Sequence, residues 1–426
     1  MKKKLTKQER NWVLYDVGNS AFMLLVSTII PIYFNYLAGN AGLSDVEYMA
    51  YWGYAASIAT LFVAIIGPVF GTFSDTKGYK KPLFMITIFI GAIGCLALGL
   101  AQQWLVFLII FVIAKVGFSG SLIFYDSMLS DVTTEDRMDE ISSQGFAWGY
   151  IGSCVPFILC LGLVLSADAL GISMELAMAI SFGIVAVWWI AMSMPLLRSY
   201  RQKYYVARKP HAVAESFKRI GVTLRNVRKE KKVFLFLLAF FFYIDGVYTI
   251  IDMATAYGSA LGLDSTGLLL ALLVTQFVAF PFAILFGRLA QKFSTDKLIM
   301  VCIVAYLGIA VFAMFLTTQT QFWILAVFVG MFQGGIQALS RSYFTKIIPA
   351  EQSGEYFGLL DICGKGASFM GTTVVSVVSQ LTGNVNMGVG MISVFFVIGI
   401  ILFHATVKQD SKSEKAEEIE EVLKAC

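Results

Sequence analysis

The feature that most constrains this chain is the repetition of long apolar runs along almost its whole length. The hydrocarbon core of a membrane is roughly 30 Å thick, and about 20 apolar residues in a helix cross it. Twelve runs are about that long or longer, and we number them spans 1 to 12 in chain order. They cover residues 11–38, 48–73, 82–101, 104–130, 145–166, 172–196, 233–260, 265–289, 297–317, 321–348, 354–381 and 386–407. A transmembrane β-barrel would show short alternating segments instead. The sequence therefore predicts an all-α polytopic membrane protein with twelve transmembrane helices.

The composition supports this class and argues against others. Of the 426 residues, 58% are hydrophobic and 14% are charged, whereas soluble domains are roughly 25% charged. The chain has two histidines and six cysteines, and no two cysteines have the C-x-x-C spacing. A His-based metal site or a nucleophile–base pair needs more than these residues supply. We therefore predict no metal, no cofactor and no enzymatic activity.

Charges outside the runs predict the orientation in the membrane. The basic N-terminus resembles the start of a signal peptide, but the run after it is too long and carries Asp16 and Asn19, so we predict a retained first span. Every second loop lacks Lys and Arg, namely residues 39–47, 102–103, 167–171, 261–264, 318–320 and 382–385. The other loops carry the cations. The positive-inside rule then places both termini in the cytoplasm, and we expect the chain in the cell membrane.

The longest interruption divides the spans six and six. We predict an N-terminal six-helix bundle over 1–196, a basic linker over 197–232, a C-terminal six-helix bundle over 233–407 and a cytoplasmic tail over 408–426. Apolar residues recur at helical spacing among the linker's many cations, which predicts an amphipathic helix on an anionic leaflet. A nucleic-acid-binding patch is the competing interpretation, and the tether between two membrane spans argues against it.

A short charged turn, Gly71–Lys81, separates spans 2 and 3 and forces them into an antiparallel hairpin. A degenerate copy, Gly287–Lys297, separates spans 8 and 9, which is the corresponding place in the second half. Gln291 of the copy stands where the first turn has Asp75. Many membrane transport folds are built from such internal repeats. The second copy of the turn therefore predicts that the two halves of the chain are related by duplication.

Polar side chains inside the membrane fall on single helical faces of spans 1, 4, 7, 10 and 11. A charge at the bilayer centre costs at least ~2.5–3.5 kcal/mol, so such residues normally face a cavity or a partner. The residues that we expect to line a substrate cavity or its gates, or to carry a coupling ion, are Asp16, Asn19, Lys115, Asp126, Asp245, Asp252, Gln337, Arg341 and Lys365.

Several of these residues have a structural alternative. Lys365 follows Asp361 at i, i+4, a spacing at which the two charges can neutralise each other. Asp16 lies near the end of span 1, where an interfacial anchor is the alternative. Lys115 lies near the middle of span 4 with no acid one turn away in its own helix. Its charge must be met from another helix, by water or by a substrate anion, which favours a functional role. Asp245 is deep enough to carry a coupling proton, and an ion pair with a cation of another span is the alternative.

The turn between spans 2 and 3 resembles motif A of the major facilitator superfamily (MFS) of transporters. The matching positions are Gly71, Asp75, Lys77, Gly78, Lys80 and Lys81, while Thr76 stands where the motif usually has Arg. The resemblance implies the MFS fold, with two pseudo-symmetric six-helix bundles around a central cavity. It also implies that the turn helps to hold the cytoplasmic gate. Asp75 would then face the helix N-terminus of span 11 near Gly354, which favours a carboxylate, with Arg137 as the available cation.

A narrower resemblance rests on four further stretches. They are Trp12-x-x-Tyr15-Asp16-x-x-Asn19-Ser20-Ala21-Phe22, Ser142-Ser143-x-Gly145-x-Ala147-x-Gly149-Tyr150-Ile151-Gly152, Gln337-Ala338-Leu339-Ser340-Arg341-Ser342 and Glu355-Tyr356-Phe357-Gly358. They resemble the vacuole-effluxer branch of the MFS, which is named for an autophagy-associated yeast amino-acid exporter. Val17-Gly18 departs from the Trp-Ala expected there. The resemblance implies export or exchange of small solutes such as amino acids.

These observations predict a secondary active transporter that moves a small polar solute by alternating access. A cavity with both cations and carboxylates suits a zwitterion such as an amino acid. The chain has no GxxxxGK[ST] phosphate-binding loop, so we expect a proton gradient, another ion gradient or the solute gradient itself to drive transport. We expect a monomer in the bilayer, with no nucleic-acid partner. A sugar–cation symporter and an exporter or flippase of lipids or drugs remain the alternatives on the same fold.

Overall fold

The computed structural model describes residues 4–207 and 230–425. These ranges consist of helices and short connections, and the described residues form no β-strand beyond an isolated bridge between Thr76 and Val206. The long helices are Lys7–Ser27 with Ile29–Asn40 (span 1), Asp45–Ser74 (span 2), Lys80–Leu98 (span 3), Trp104–Ser127 (span 4), Met138–Leu165 (span 5), Met174–Ser199 (span 6), Lys231–Ala260 (span 7), Ser265–Leu289 (span 8), Thr295–Ala313 (span 9), Gln319–Ile347 (span 10), Ser353–Thr382 (span 11) and Ile392–Ala425 (span 12). Short helical turns cover Leu129–Val132, Glu135–Arg137, Ala167–Leu170, Ala350–Gln352 and Val385–Gly390.

The helix lengths fit a membrane-spanning chain. Within the described ranges, 11 helices are long and apolar enough to cross a membrane. The remaining long helix, Ser353–Thr382, has 30 residues and carries Asp361 and Lys365 in its first half. The predicted all-α architecture with twelve long helices is confirmed.

Span 1 is not one continuous helix, in contrast to the uninterrupted run in the sequence. The helix stops at Thr28, whose φ of −132° and ψ of −70° are not helical. Pro31 lies in the first turn of the next helix, where its missing N–H costs nothing. A continuous helix would instead place the proline ring against the carbonyl of Ser27. The Thr28 hydroxyl donates to the Leu24 carbonyl at 2.6 Å and satisfies an acceptor at the break.

The described chain divides into two compact units. Unit 1 is Met1–Ala212 with Ala350–Leu359, and unit 2 is Val213–Pro349 with Leu360–Cys426. The first residues of the span 11 helix thus pack with unit 1, while the rest of that helix belongs to unit 2. We call the end of unit 1 that carries Gly71–Lys81 the motif end. Span 1 starts and span 6 ends at this same end.

The two units repeat the same helix pairings. In unit 1, span 1 packs on span 6, span 2 on span 4, and span 3 on both span 4 and span 6. In unit 2, span 7 packs on span 12, span 8 on span 10, and span 9 on both span 10 and span 12. Each of these four pairings of the first unit therefore recurs six spans later. The predicted duplication is confirmed.

Glycines permit the closest of these pairings. A Cβ on Gly117 of span 4 would lie 2.5 Å from the backbone nitrogen of Gly91 on span 3, so the two helices meet backbone to backbone. The predicted amphipathic helix of the linker lies largely in 208–229, outside the described residues. The tail continues the span 12 helix as far as Ala425.

Candidate functional site

The best-defined polar cluster of unit 1 surrounds Asp75, which caps the C-terminal end of the span 2 helix. Its side chain is fully buried. Oδ1 accepts a hydrogen bond from the backbone N–H of Gly354 at 2.8 Å, and Oδ2 accepts one from the N–H of Glu355 at 2.9 Å. Both donors belong to the first turn of the span 11 helix, where backbone N–H groups have no partner inside the helix. The expected contact of Asp75 with the start of span 11 is confirmed.

The backbone at the end of span 2 contacts the backbone at the start of span 11, and this contact requires glycine on both sides. A Cβ on Gly71 would lie 2.2 Å from the carbonyl oxygen of Gly354, and a Cβ on Gly354 would lie 2.5 Å from the carbonyl oxygen of Gly71. Real Cβ atoms do not approach that closely, and backbone cannot move aside as a flexible side chain can. Gly78 adopts φ of 85°, a left-handed conformation that favours glycine. The motif glycines thus shape the turn and permit the docking.

The cation beside Asp75 is Lys80 rather than Arg137, so the expected partner was wrong. The Lys80 ammonium is fully buried and lies 3.7 Å from Asp75 Oδ1. It also donates to Ser353 Oγ at 2.9 Å. Arg137 instead donates to Glu9 Oε2 at 2.8 Å. The reason is that Glu9 lies in the capped first turn of span 1, where a capping box with Thr6 holds it within reach of Arg137.

Asp131 is a member of this cluster that the sequence did not single out. It is fully buried, and its Oδ2 lies 3.9 Å from the Lys80 ammonium. It accepts hydrogen bonds from the Tyr200 hydroxyl and from the backbone N–H groups of Lys203 and Tyr204. Asp131 therefore ties the segment after span 6 to the turn between spans 4 and 5. The one feature of the sequence that could have indicated this role is the position of Asp131, an acidic residue directly after the apolar run of span 4.

Burial governs the titration of this cluster. Burial raises the pKa of the Asp75 carboxyl to about 7, while the nearby Lys80 ammonium and the two backbone N–H groups act in the opposite direction. Burial, followed by the adjacent Asp131 carboxylate, raises the pKa of the Tyr200 hydroxyl well above its ordinary value. The Tyr200 hydroxyl therefore stays protonated and donates to Asp131.

The corresponding turn of unit 2 lacks this cluster. Gln291 takes the position of Asp75, and the side chains of Arg288, Gln291, Lys292 and Phe293 are exposed. The side chain at the position of Asp75 is therefore a neutral, exposed amide instead of a buried carboxylate. The two copies of the turn have therefore diverged in chemistry as well as in sequence.

The predicted polar face of span 1 points into unit 1. Asp16 is buried, and it accepts a hydrogen bond from the Tyr125 hydroxyl of span 4 at 3.0 Å. Asn19, also buried, donates to the other Asp16 oxygen at 3.4 Å. The Lys115 ammonium of span 4 is half-buried and lies 5.7 Å from the ring centre of Phe118. Asp16 is thus a packed, hydrogen-bonded carboxylate rather than an exposed anchor.

Asp245 is the most unusual acid of unit 2. It is fully buried, and its Oδ1 accepts from the Gly371 N–H at 3.0 Å and from the Thr249 hydroxyl at 3.2 Å. Its Oδ2 is buried without a hydrogen-bond partner among the described residues. Within unit 2 it forms no ion pair with any described residue. A Cβ on Gly371 would lie 2.3 Å from Asp245 Oδ1, so only glycine permits this arrangement.

The other predicted residues of unit 2 occupy different environments. Lys365 forms an ion pair with Asp361, one turn earlier on span 11. Arg341 is buried, Gln337 is half-buried and Asp252 is exposed. The i, i+4 pair predicted from the sequence is confirmed.

A small internal cavity lies beside Asp245 in unit 2. Its volume is about 70 Å³, and its walls are mostly aliphatic and aromatic side chains of spans 7 to 10, with Val389 and Ile392 from the start of span 12 and the turn before it. Thr249, Gln276 and Gln333 supply polar groups to the lining. Thr249 is also the hydroxyl that donates to Asp245 Oδ1, so the cavity begins next to the carboxylate. In the described part of the chain, no cluster of His, Cys, Asp and Glu could hold a metal ion.

Comparison with known proteins identifies the family. The family described as "Vacuole effluxer Atg22 like" matches residues 5–137 and 130–417. The chain belongs to the vacuole effluxer Atg22-like family. It is 43% identical over 423 residues to the uncharacterized MFS-type transporter YxiO of Bacillus subtilis, covering 98% of this chain and 99% of that protein. It is 26% identical over 315 residues to autophagy-related protein 22 of Cryptococcus neoformans, covering 69% of this chain and 54% of the fungal protein.

Solved structures show the same fold. The human organic anion transporter MFSD10 matches with a TM-score of 0.72 at 13% identity, covering 94% of this chain and 100% of that chain. The MFS transporter FucP in its outward conformation matches with a TM-score of 0.70 at 14% identity, covering 94% and 97%. This family member is therefore an integral, multi-pass MFS transporter and not an enzyme.

Proposed function

We propose that this transporter moves a small zwitterion, such as an amino acid, by alternating access and couples the movement to a proton. The observation that carries the proposal is the environment of Asp245, a buried carboxyl with one stabilised oxygen and one unpartnered oxygen. Burying an incompletely hydrogen-bonded carboxylate costs free energy, and a ligand or a proton that binds its free oxygen reduces that cost. The family's description as effluxers supports export as the direction.

Proton coupling follows from the uneven stabilisation of this carboxyl. Two hydrogen bonds to Oδ1 are not enough to compensate a full negative charge in a dry interior. A proton on Oδ2 removes that charge while leaving both bonds to Oδ1 in place. Thr249 links the carboxyl to the cavity of unit 2, which would give the proton a path. Asp245 is thus proposed as the coupling group, with Thr249 and Gly371 holding its orientation.

Recognition of a zwitterion is supported by charges of both signs in unit 1. The Lys115 ammonium suits a substrate carboxylate, because a charge-assisted hydrogen bond is strong in a low-dielectric site. Asp126 on the same helix suits a substrate amine, but it lies about 16 Å from Lys115 along the helix axis, farther than the two charges of one amino acid can span. We therefore propose that Asp126 binds the amine at a different stage of transport. The proposal assigns Asp16 to positioning Tyr125, since its hydrogen bonds already fix it. Gln337 and Arg341 are proposed as the polar side chains of unit 2 that contact substrate.

Gating is proposed to rest on the Asp75 cluster. The carboxylate holds the first turn of the span 11 helix in unit 1, while the rest of that helix belongs to unit 2. Release of two hydrogen bonds would therefore free the start of span 11. Gly71, Lys77, Gly78 and Lys81 shape and flank the turn, and Lys80 balances the buried charge. Both termini and this turn are proposed to face the cytoplasm of a cell membrane.

Transport of amphiphiles is the less supported alternative. The unit 2 cavity is lined mostly by apolar side chains, as that alternative requires. Its volume of about 70 Å³ is well below the roughly 300–1,000 Å³ of pockets that hold drug-sized ligands. The cavity therefore fits water or a small side chain better than a drug or an acyl chain.

Reconstitution into liposomes tests the substrate class. Purified protein would be offered a panel of amino acids, fucose and xylose, and a fluorescent phospholipid, each with and without a pH gradient. We expect flux of one or more amino acids, accelerated by the gradient, and no flux of the other two classes. Flux of sugars or lipids without flux of any amino acid would overturn the proposal.

A further inference from the structure

A second pocket lies in unit 1, at the motif end between the helices of spans 1 and 6. Its volume is about 580 Å³, within the usual range for small-ligand sites. Its lining residues are Lys7, Arg10, Asn11, Leu14, Ala191, Met194, Pro195, Arg198 and Ser199. The pocket is separate from Asp75 and from the polar face of span 1 that carries Asp16.

The two helices present matching stripes to this pocket. On span 1 the lining residues recur at i, i+3, i+4 and i+7, which is one face of a helix. Span 6 contributes a stripe with the same period. Asn11 joins the stripes, because its side-chain amide donates to the Pro195 carbonyl at 3.2 Å and to the Ser199 hydroxyl at 2.8 Å. These bonds fix the distance between the walls, so the pocket is a built feature rather than a gap.

Charge is concentrated at the mouth of the pocket. Lys7, Arg10 and Arg198 are exposed there, and no acidic residue belongs to the lining, all of which lies in the described chain. None of the three cations forms an ion pair with a described residue. Glu9, the nearest acid in sequence, is buried against Arg137 instead. The mouth therefore has three uncompensated positive charges.

Polarity changes along the pocket in the direction of the membrane. Lys7 and Arg198 lie at the ends of their antiparallel helices, whereas Leu14 and Ala191 lie about 10 Å deeper along the helix axes. A ligand that fills the pocket must therefore be anionic at one end and apolar at the other. A phospholipid has this arrangement where its phosphate meets its acyl chains.

We propose that this pocket binds the headgroup of an anionic phospholipid, with the phosphate at Lys7, Arg10 and Arg198 and the proximal acyl chain along Leu14, Ala191 and Met194. The guanidinium groups suit phosphate because each presents a fork of N–H donors. The apolar wall distinguishes a lipid from a free phosphate ion. Basic pockets between membrane helices are suited to such headgroups.

Lipid titration of the purified full-length chain in detergent tests this proposal. Native mass spectrometry would count bound phosphatidylglycerol and phosphatidylcholine, and glycerol-3-phosphate would serve as the soluble competitor. We expect phosphatidylglycerol to bind with at least about tenfold higher affinity than phosphatidylcholine. The Arg10→Gln/Arg198→Gln variant should lose about tenfold or more of that affinity. Equal binding of the two lipids by the wild type would overturn the proposal.

Matched variants distinguish lipid binding in this pocket from general attraction of anionic lipid to positive charge on the protein. Arg288→Gln/Lys292→Gln removes the same charge from exposed positions of unit 2 and should leave phosphatidylglycerol affinity within about twofold. Equal losses in the two double variants would overturn the proposal. Ala191→Trp fills the pocket without changing charge and should also weaken lipid binding. Displacement of the lipid by equimolar glycerol-3-phosphate would show a free-anion site and would likewise overturn it.

Discussion

Asp75 joins three separate segments of unit 1 through one carboxylate. It lies at the end of span 2, accepts from two N–H groups at the start of span 11, and faces Lys80 at the start of span 3. Because the carboxyl is buried, the stability of the fold should depend on pH. The pKa of its carboxyl rises to about 7 in the fold, above an ordinary value of about 4.

The sign of this shift predicts how stability changes with pH. A carboxyl with a raised pKa stabilises the fold fully below its unfolded pKa, and that contribution is lost as pH rises through the folded pKa. Between pH 5 and pH 8 the loss amounts to about 2–3 kcal/mol. The Tm of the wild type should therefore fall by several degrees relative to that of Asp75→Asn, which cannot ionise there. Parallel Tm curves for the two proteins would contradict this assignment.

Lys115 is the residue on which substrate recognition most depends in our proposal. Removing its charge with Lys115→Gln should reduce amino-acid flux by about tenfold or more, because a charge-assisted bond to the substrate is lost. Lys115→Arg should restore part of the flux. Lys297→Gln, an exposed control, should transport normally. Normal flux in Lys115→Gln, at unchanged Tm, would exclude Lys115 from the site.

Among the elements, the start of span 11 is the one whose docking depends most on backbone approach. At position 354 the backbone N–H donates to Asp75, as that of any residue except proline could. Glycine is required there because the missing side chain leaves space for the Gly71 carbonyl. A few residues later, a Cβ on Gly358 would lie 2.8 Å from the Cα of Pro68. The element is thus fitted to the end of span 2 along two turns.

A single added methyl group should undo this docking. Gly354→Ala places a Cβ 2.5 Å from the Gly71 carbonyl oxygen, and overpacking of this kind costs about 1–3 kcal/mol. Gly366→Ala, on the same helix, meets only an ordinary contact of 3.7 Å with Phe241. We expect a lower Tm for the first variant and an equal or higher Tm for the second. Equal Tm values for both variants would contradict the docking role.

Sequence patterns predicted the elements better than they predicted side-chain partners. The apolar runs and the echoed turn predicted twelve long helices in two related halves, because span length and repeat are properties of the chain alone. They did not predict that Lys80, not Arg137, neutralises Asp75, since Glu9 competes for Arg137 from a segment about 130 residues away. Asp131 was missed for the same reason, because its role depends on which segments meet in the fold. The break at Thr28 is different, because Pro31 lies three residues away and is a local signal that run length alone does not detect.

At the scale of the whole molecule, duplication and divergence coexist. Four helix pairings of unit 1 recur in unit 2, yet the charged turn keeps its buried carboxylate only in unit 1. Unit 2 instead has the buried Asp245 beside an internal cavity. We infer that the two units have different roles in transport: unit 1 supplies the gate and unit 2 supplies the coupling group. Loss of Asp75 should then change the rate of transport, whereas loss of Asp245 should change its energetics.

The measurement that tests this account most directly is amino-acid accumulation by Asp245→Asn in liposomes with an imposed pH gradient. Exchange of labelled for unlabelled substrate would be measured in the same vesicles, with Asp264→Asn, an exposed helix cap of the same unit, as the matched control. The account predicts that accumulation falls to the level seen without a gradient while exchange persists, because the amide keeps the shape of the carboxyl but cannot release a proton. Gradient-driven accumulation at the wild-type level in Asp245→Asn would contradict it.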